Sequence, residues 1–253
     1  MLEARRRIAA GGFLDTLPRL ESAPPSPAAA EWSEGSCIGA YRLARPLGSG
    51  GMAEVWLAER ADGAFERQVA IKLLFNHPSR DQRERLVERF RRERDILASL
   101  QHPNIAGLHD AGVTPSGQPW LALEYVHGEP ITSWCDSRSL DIAARVALFR
   151  QVLQAVAHAH ANLVIHRDLK PSNILVTEAG GVKLLDFGIA KLIEGDDRGM
   201  AESELTRQTG RPLTLMYASP EQMEGKVLGT ASDVYSAGVV LYELVTGQRP
   251  YEL

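Results

Sequence analysis

Asp168, Lys170 and Asn173 crowd one short turn in the run VIHRDLKPSNILV, residues 164–176, between the apolar segments Leu163–Ile165 and Ile174–Val176. A chain reversal needs Pro171 and at most one turn-forming amide. It does not need a carboxylate, an ammonium and a carboxamide side by side. Such a trio can take up a proton, neutralise an anion in transfer and present an oxygen to a hard cation. A second acid stands nearby in kind: Asp186, with Gly188, ends an apolar strand in VKLLDFGIAK, residues 182–191. Asp-Phe-Gly at a strand end is by itself a plain turn. With Asn173 upstream, Asp186 can instead join an oxygen ligand set of the kind Mg²⁺ prefers.

Two further segments have the composition of phosphate-handling elements. LGSGGMAEV, residues 47–55, is a glycine-rich turn between two strand-like runs, and glycines let backbone N–H groups approach a phosphate closely. A strand on each side excludes a dinucleotide-binding turn, which leads into a helix. A simple hairpin stays open on these residues alone, as does a lid over nucleotide phosphates. VAIK, residues 69–72, puts Lys72 in a buried-type strand, where the bland reading is a snorkelling edge lysine. The following helical pattern, roughly Arg83 to Leu100, changes the odds. Leu86, Phe90, Leu97 and Leu100 share one stripe, with Glu93 in its middle. A carboxylate there is costly unless paired, and Lys72 is its natural partner. The arginines of RDQRERLVERFRRERD alternate with acids, as on a solvated helix face. His158 and His160 lie two apart on a helix and point to different sides, so they are poor chelate partners.

The elements that must position these groups change character along the chain. Residues 1–38, containing ESAPPSPAAAEWSEGS, read as a flexible arm or linker. From Tyr41 to about Tyr125 short strand-like runs dominate, interrupted by the one helix. After Gly128 the period becomes helical, as in AARVALFRQVLQAVAHAHANL. The expected domains are therefore the arm at 1–38, a β-rich lobe at 39–125 and an α-rich lobe at 126–253. SDVYSAGVVLYELVTG, residues 232–247, reads as a helix capped by Ser232 and closed by Gly247, apolar almost all round. Such a helix belongs in the middle of a domain. Its closeness to the last residue, Leu253, leads us to expect an incomplete helical lobe with an open apolar patch, poorly soluble and weakly active on its own.

Composition sets the class of partner. The chain has 253 residues, 44% hydrophobic and 24% charged, and a net charge of −4, which disfavours nucleic acid. Cys37 and Cys135 form no metal-type spacing and no disulfide framework, as expected in a reducing compartment. No apolar run is long enough to span a bilayer and no signal peptide is evident, so the expected location is cytoplasmic.

LGSGGMAEV, VAIK, Glu93, EYV, HRDLKPSN, DFG, SPE and SDVYSAGV occur in the order of the protein kinase signatures, from residue 41 to about 251. With YASPEQ and VKLLDFGIAKL, the chain resembles the eukaryotic-like serine/threonine protein kinases of bacteria. The resemblance implies an α+β, two-lobed fold: a small antiparallel β lobe with one key helix, and a mainly helical lobe. It implies ATP and Mg²⁺, and transfer of the γ-phosphoryl group to Ser/Thr hydroxyls of protein substrates in bacterial signalling. Asp168 would take or orient the hydroxyl proton, Lys170 would stabilise the transferred group, and Asn173 would hold Mg²⁺ with Asp186. Leu47, Gly48, Ser49, Gly50, Gly51 and Met52 would cover the phosphates. Lys72, tethered by Glu93, would contact them. Val55, Ala70 and Leu175 would enclose the adenine, with backbone groups of Glu124 and Val126 bonded to it and Leu123 as gatekeeper. Arg167 resembles that of kinases whose loop is ordered by phosphorylation, here at Thr206 or Thr209, and self-association for phosphorylation between copies fits the same picture. Thr214 stands where a residue supporting Asp168 and Lys170 is expected.

The departures are Ala53 for the last loop glycine, Ser219 for the usual alanine before Pro-Glu, and Leu215–Met216 for a commonly polar or proline-containing pair. The last of these leaves peptide preference open. In the family a downstream arginine usually pairs with Glu221, and Glu221 is expected to lack that usual partner here. Two other readings remain: a kinase-like nucleotide-binding scaffold that transfers weakly or not at all, and a small-molecule phosphotransferase. Lys72, Glu93, Asp168, Asn173 and Asp186 together argue against the first. Lys170, the long segment from Asp186 to Glu221 and the Thr214 region favour protein substrates over the second.

Overall fold

Alternation along Gln68–Leu74 (β4) sets the plan of the first lobe. Val69, Ile71 and Leu73 are fully buried on one face, while Ala70 and Lys72 are half-buried on the other. In the computed structural model, residues 32–49, 53–63, 67–74, 80–187 and 216–251 are described, less the side chains of 80–83, 86, 89, 92 and 93. The sheet comprises Cys37–Ile38 (β1), Tyr41–Ser49 (β2), Ala53–Arg60 (β3), β4, Leu108–Val113 (β5) and Pro119–Glu124 (β6). Its order is β1-β2-β3-β4-β6-β5, every neighbour antiparallel. Cys37 and Ile38, read above as the end of the arm, pair with Arg42 and Tyr41. Register shifts in β2 fall around Ala44 and Leu47, and Pro46 sits between them, where a missing N–H is tolerated.

The indole of Trp120 closes one sheet face by packing on two glycines. A Cβ on Gly39 would lie 2.8 Å from its ring, and one on Gly112 2.6 Å. On the Lys72 side packs the helix Arg80–Ser99 (α1), three residues longer at its start than its apolar stripe predicts. Phe90 of that stripe is buried with Ala53, Leu74 and Leu121.

The second lobe has its own core. Gly128–Pro130 (β7), Ile174–Thr177 (β8) and Val182–Leu184 (β9) form a three-stranded antiparallel sheet. Ile131–Ser137 (α2), Ile142–Ala161 (α3), Pro220–Met223 (α4) and Thr230–Thr246 (α5) follow in chain order around it. Asp141 caps α3 by accepting from the Ala144 N–H at 2.8 Å. Val152, Ala155 and Ala159 of α3 are fully buried with Ile131, Ile174, Leu184, Val240 and Leu244. Arg145 ties three elements: its guanidinium donates to the carbonyls of Leu140 and Leu244 and pairs with Asp136 at 2.8 Å.

The cap of α5 differs from expectation. Gly229 is the N-cap, and Ser232 lies inside the first turn, 1% exposed, with its hydroxyl donating to Glu221 Oε1 at 2.5 Å. An N-cap stands just before the first helical residue, and Ser232 already lies inside the helix, which begins at Thr230. The partner described for Glu221 is the Ser232 hydroxyl rather than an arginine, and this hydrogen bond holds its carboxyl below the usual range. Gly247 closes the helix as predicted, in the left-handed region at φ 71°. Ala237, Val239, Val240 and Leu244 are buried, whereas Val234, Tyr242 and Val245 are exposed, so the helix is not covered all round.

The lobes are bound by more than the crossing at Tyr125–His127. Ile105 bridges to Leu184 in parallel, the Ala106 N–H donates to the Leu184 carbonyl, and the Leu184 N–H donates to that of Asn104. The Asn104 amide adds bonds to the Val182 carbonyl and Gln151. Lys183 of β9 pairs with Glu124 at 2.8 Å, an ion pair that sequence patterning did not reveal. Among the described residues no helix is long and apolar enough to cross a membrane.

Candidate active site

Asp168 enters the site from a segment with little regular structure, so its direction must be set by side chains. The Asp168 N–H donates to His166 Nδ1 at 3.2 Å, while His166 Nε2 donates to the Leu185 carbonyl at 2.8 Å. That pattern requires neutral imidazole, and burial pushes the His166 pKa down. Its ring stacks edge-on against Phe187 at 4.6 Å, joining the turn to Asp186. Arg167, at φ 69°, and Asp186, at φ 62°, both occupy the left-handed region, where a side chain is strained.

Asp233 of α5 holds this turn from below. Its side chain is 1% exposed; Oδ2 accepts from the His166 N–H at 2.8 Å and from His160 Nε2 at 2.7 Å, and Oδ1 accepts from the Arg167 N–H at 2.9 Å. Buried donors thereby meet a buried anion. Within SDVYSAGV, sequence patterning gave Asp233 no part of its own. The signal was available: a carboxylate in a largely apolar helix, the same anomaly that singled out Glu93. His160 is thus a partner of Asp233, and His158 stacks on His102 at 5.1 Å.

The predicted trio is together. Lys170 Nζ donates to Asp168 Oδ2 at 2.7 Å, and Asn173 Nδ2 donates to the same oxygen at 3.1 Å and to the Asp168 carbonyl at 2.8 Å. Pro171–Asn173 forms a 3₁₀ turn that delivers Asn173 to this spot. With two donors on Oδ2, Oδ1 of Asp168 is the oxygen able to accept from a further hydroxyl. The Asn173 amide nitrogen is likewise committed, which leaves its carbonyl oxygen as the donor atom for a cation. Asn173 and Asp186 also belong to one unit, since the Leu185 N–H donates to the Asn173 carbonyl at 2.8 Å. Amide and carboxylate oxygens fit Mg²⁺, which keeps waters and substrate phosphates as its remaining ligands.

Across from the trio, Lys72 Nζ lies 2.9 Å from Asp186 Oδ2. Burial pushes the Asp186 carboxyl up, but the Lys72 charge and hydrogen bond outweigh it and the net shift is downward. The expected Lys72–Glu93 pair involves a side chain outside the described ones; the described partner of Lys72 is Asp186. Val55 is cross-strand from Lys72, and Ala70 from Leu123, which places all four on one sheet face. Val55, Ala70, Leu123 and, in β8, Leu175 are half-buried, as cleft walls are. The N–H and C=O of Val126 have no backbone partner among the described residues. Behind Leu123 lies a cavity lined by Leu97, Leu100, Ile105, Asp186 and Phe187. Leu47, Gly48 and Ser49 form the exposed end of β2. Gly50, Gly51, Met52, Gly188, Thr206, Thr209, Thr214 and Leu215 lie outside the described residues. Arg167 Nε is buried and has no hydrogen-bond partner among the described residues.

A β-rich lobe and a helical lobe, with a lysine–carboxylate pair opposite an Asp–Lys–Asn turn, define the two-lobed α+β architecture of phosphotransferases of the protein kinase type. The family model described as the protein kinase domain matches residues 41–253, and the chain belongs to that family. It is 41% identical over 219 residues to serine/threonine-protein kinase PknA of Mycobacterium tuberculosis, covering 84% of this chain and 48% of that protein. Over 216 residues it is 36% identical to serine/threonine-protein kinase PrkC of Bacillus subtilis, covering 85% and 31%. The chain thus spans less than half the length of either relative. Among solved structures, the kinase domain of Mycobacterium tuberculosis PknI aligns with a TM-score of 0.64 and 28% identity, over 87% of this chain and 79% of that one.

Proposed function

We propose that this chain transfers the γ-phosphoryl group of ATP to Ser or Thr hydroxyls of protein substrates. The observation that carries this is the Asp168–Lys170–Asn173 cluster, opposite the Lys72–Asp186 pair. Asp168 Oδ1 accepts the hydroxyl proton as the oxygen attacks phosphorus and the bond to the β-phosphate oxygen breaks, releasing ADP. Lys170 lies against Asp168 and balances charge on the group in transit. Lys72 holds the nucleotide phosphates, and residues 47–52 cover them. Val55, Ala70 and Leu175 enclose the adenine, bonded to backbone groups of Glu124 and Val126. Asn173 and Asp186 would hold Mg²⁺, which would supply charge neutralisation on the phosphate oxygens.

A cytoplasmic location agrees with the free Cys37 and Cys135. The buried, unpartnered Nε of Arg167 suits a phosphate on Thr206 or Thr209, placed there by a second copy. A part in bacterial signalling follows the relatives' class. The domains of this reading are an arm that gives way to the first lobe at Cys37, a first lobe that runs from there to residue 125, and a second at 126–253. The test is incubation with γ-labelled ATP, Mg²⁺ and a mixture of basic proteins, followed by phosphoamino-acid analysis. Label on serine or threonine supports the reading; label on tyrosine alone, or none on protein, contradicts it.

A further inference from the structure

Gln222 spans two segments that are far apart in sequence. Its Oε1 accepts from the Ser219 N–H at 3.0 Å, completing a capping box at the start of α4. Its Nε2 donates to the Arg167 carbonyl at 2.6 Å. The orientation of the amide is chemically forced, since the Ser219 N–H can only donate and the Arg167 carbonyl can only accept. Ser219 is fully buried, so the cap gives the glutamine a fixed base.

The bonded carbonyl belongs to the peptide unit that leads into Asp168. The other end of that unit, the Asp168 N–H, is held by His166 Nδ1. The peptide before it is held by Asp233 through the Arg167 N–H. Arg167 itself is in the left-handed region at φ 69°, a conformation that surrounding contacts must enforce. Asp233 alone cannot do so, because it grips only the N–H side of Arg167. Gln222 grips the carbonyl side and sets the plane from which the Asp168 side chain projects.

We infer that Gln222 is a positioning residue for phosphoryl transfer: its carboxamide holds the Arg167–Asp168 peptide plane and so aims Asp168 at the acceptor hydroxyl. The inference rests on the activity proposed above. A glutamate at 222 would still accept from Ser219 but would turn an oxygen toward the Arg167 carbonyl. The cap survives and the grip becomes a repulsion. Gln222→Glu therefore separates positioning from helix capping, and Gln222→Met removes both side-chain bonds without adding a charge, while the Ser219 hydroxyl keeps its bond from the residue 222 N–H.

The experiment compares wild type, Gln222→Glu and Gln222→Met by thermal melt, by hydrogen–deuterium exchange of peptides covering Val164–Lys170, and by steady-state phosphotransfer. Misplacing a reacting group by about 1 Å costs on the order of 10²-fold in rate. The expected result for Gln222→Glu is a fall in kcat of at least about tenfold, with KM for ATP within about twofold. Exchange in Val164–Lys170 should quicken in both variants while that of α5 stays unchanged. Wild-type exchange there in both variants, or wild-type kcat in Gln222→Glu, overturns the inference. A loss of kcat matched by an equal loss of folded protein also overturns it. A wild-type chain that transfers no phosphate refutes the proposed activity instead, and exchange then still decides whether Gln222 holds the turn.

Discussion

Asp233→Asn removes a charge from beneath the turn that carries Asp168 while leaving volume and packing almost unchanged. In the wild type Oδ2 serves two donors, His166 N–H and His160 Nε2, and Oδ1 serves the third, Arg167 N–H. Asparagine offers one oxygen and one amine. Its best orientation keeps the oxygen at the Oδ2 position, retains two bonds as neutral ones and turns the amide NH2, itself a donor, on the Arg167 N–H. A buried donor left without an acceptor costs about 1–3 kcal/mol, and exchanging a charged acceptor for a neutral one weakens each remaining bond by roughly 1 kcal/mol. The sum, trimmed for local relaxation, is about 2–4 kcal/mol. For a domain of this size the melting midpoint should fall by roughly 5–15 °C. The freed N–H lies next to Asp168, so kcat should also fall by on the order of 10²-fold among molecules that remain folded. The assay pairs a thermal melt with steady-state transfer well below the variant's own midpoint. A midpoint within about a degree of wild type, with undiminished kcat, would refute the idea that Asp233 holds the turn.

Other perturbations have equally definite outcomes. Gly112→Ala puts a methyl 2.6 Å from the Trp120 ring, a rigid group in a closed core, and should destabilise by about 1–3 kcal/mol in a denaturant titration. Burial and the hydrogen bond to Glu243 push the Tyr217 phenol up to about 12. The folded state therefore favours the neutral phenol, a stabilisation complete below the unfolded value of about 10 and lost as pH rises toward 12. Alkaline melts should show a shallower loss of stability over that window in Tyr217→Phe than in wild type. Lys72→Met strips Asp186 of its described partner, so the variant should lose transfer activity and bind Mg²⁺-ATP more weakly by calorimetry.

What could be read from the sequence was what lies close together in it. HRDLKPSN carries its acid, cation and amide within one turn, so their company is plain from the order of residues alone. The two lobes followed from the change of period after Gly128, because strand and helix patterns are local properties. Asp233 was legible as a carboxylate in a largely apolar helix but its partners were not, since His166 and Arg167 lie 67 and 66 residues away and no spacing rule connects them. The same holds for Gln222, 55 residues from Arg167, and for Lys183, 59 residues from Glu124. Ser232 misled for a local reason. Serine before an apolar helix is a favoured N-cap pattern, but the helix begins earlier, at Thr230 after Gly229, and this places Ser232 inside its first turn. Asp186 was legible as a candidate cation ligand only in company with Asn173 upstream, since its place at a strand end reads by itself as a plain turn. That Lys72 would pair with it required knowing which sheet face looks toward the second lobe.

The most direct measurement is transfer of γ-labelled phosphate to a protein acceptor by wild type and by Asp168→Asn at saturating Mg²⁺-ATP, with nucleotide affinity measured alongside. Asp168 Oδ2 is held by Lys170 and Asn173, so asparagine can occupy the same place while losing the proton-accepting oxygen. The expected result is near-unchanged ATP affinity with kcat lower by roughly 10²–10⁴-fold, the contribution of a lost general base. Wild-type kcat in a preparation of Asp168→Asn free of other kinases would contradict the assignment of this turn as the site of transfer.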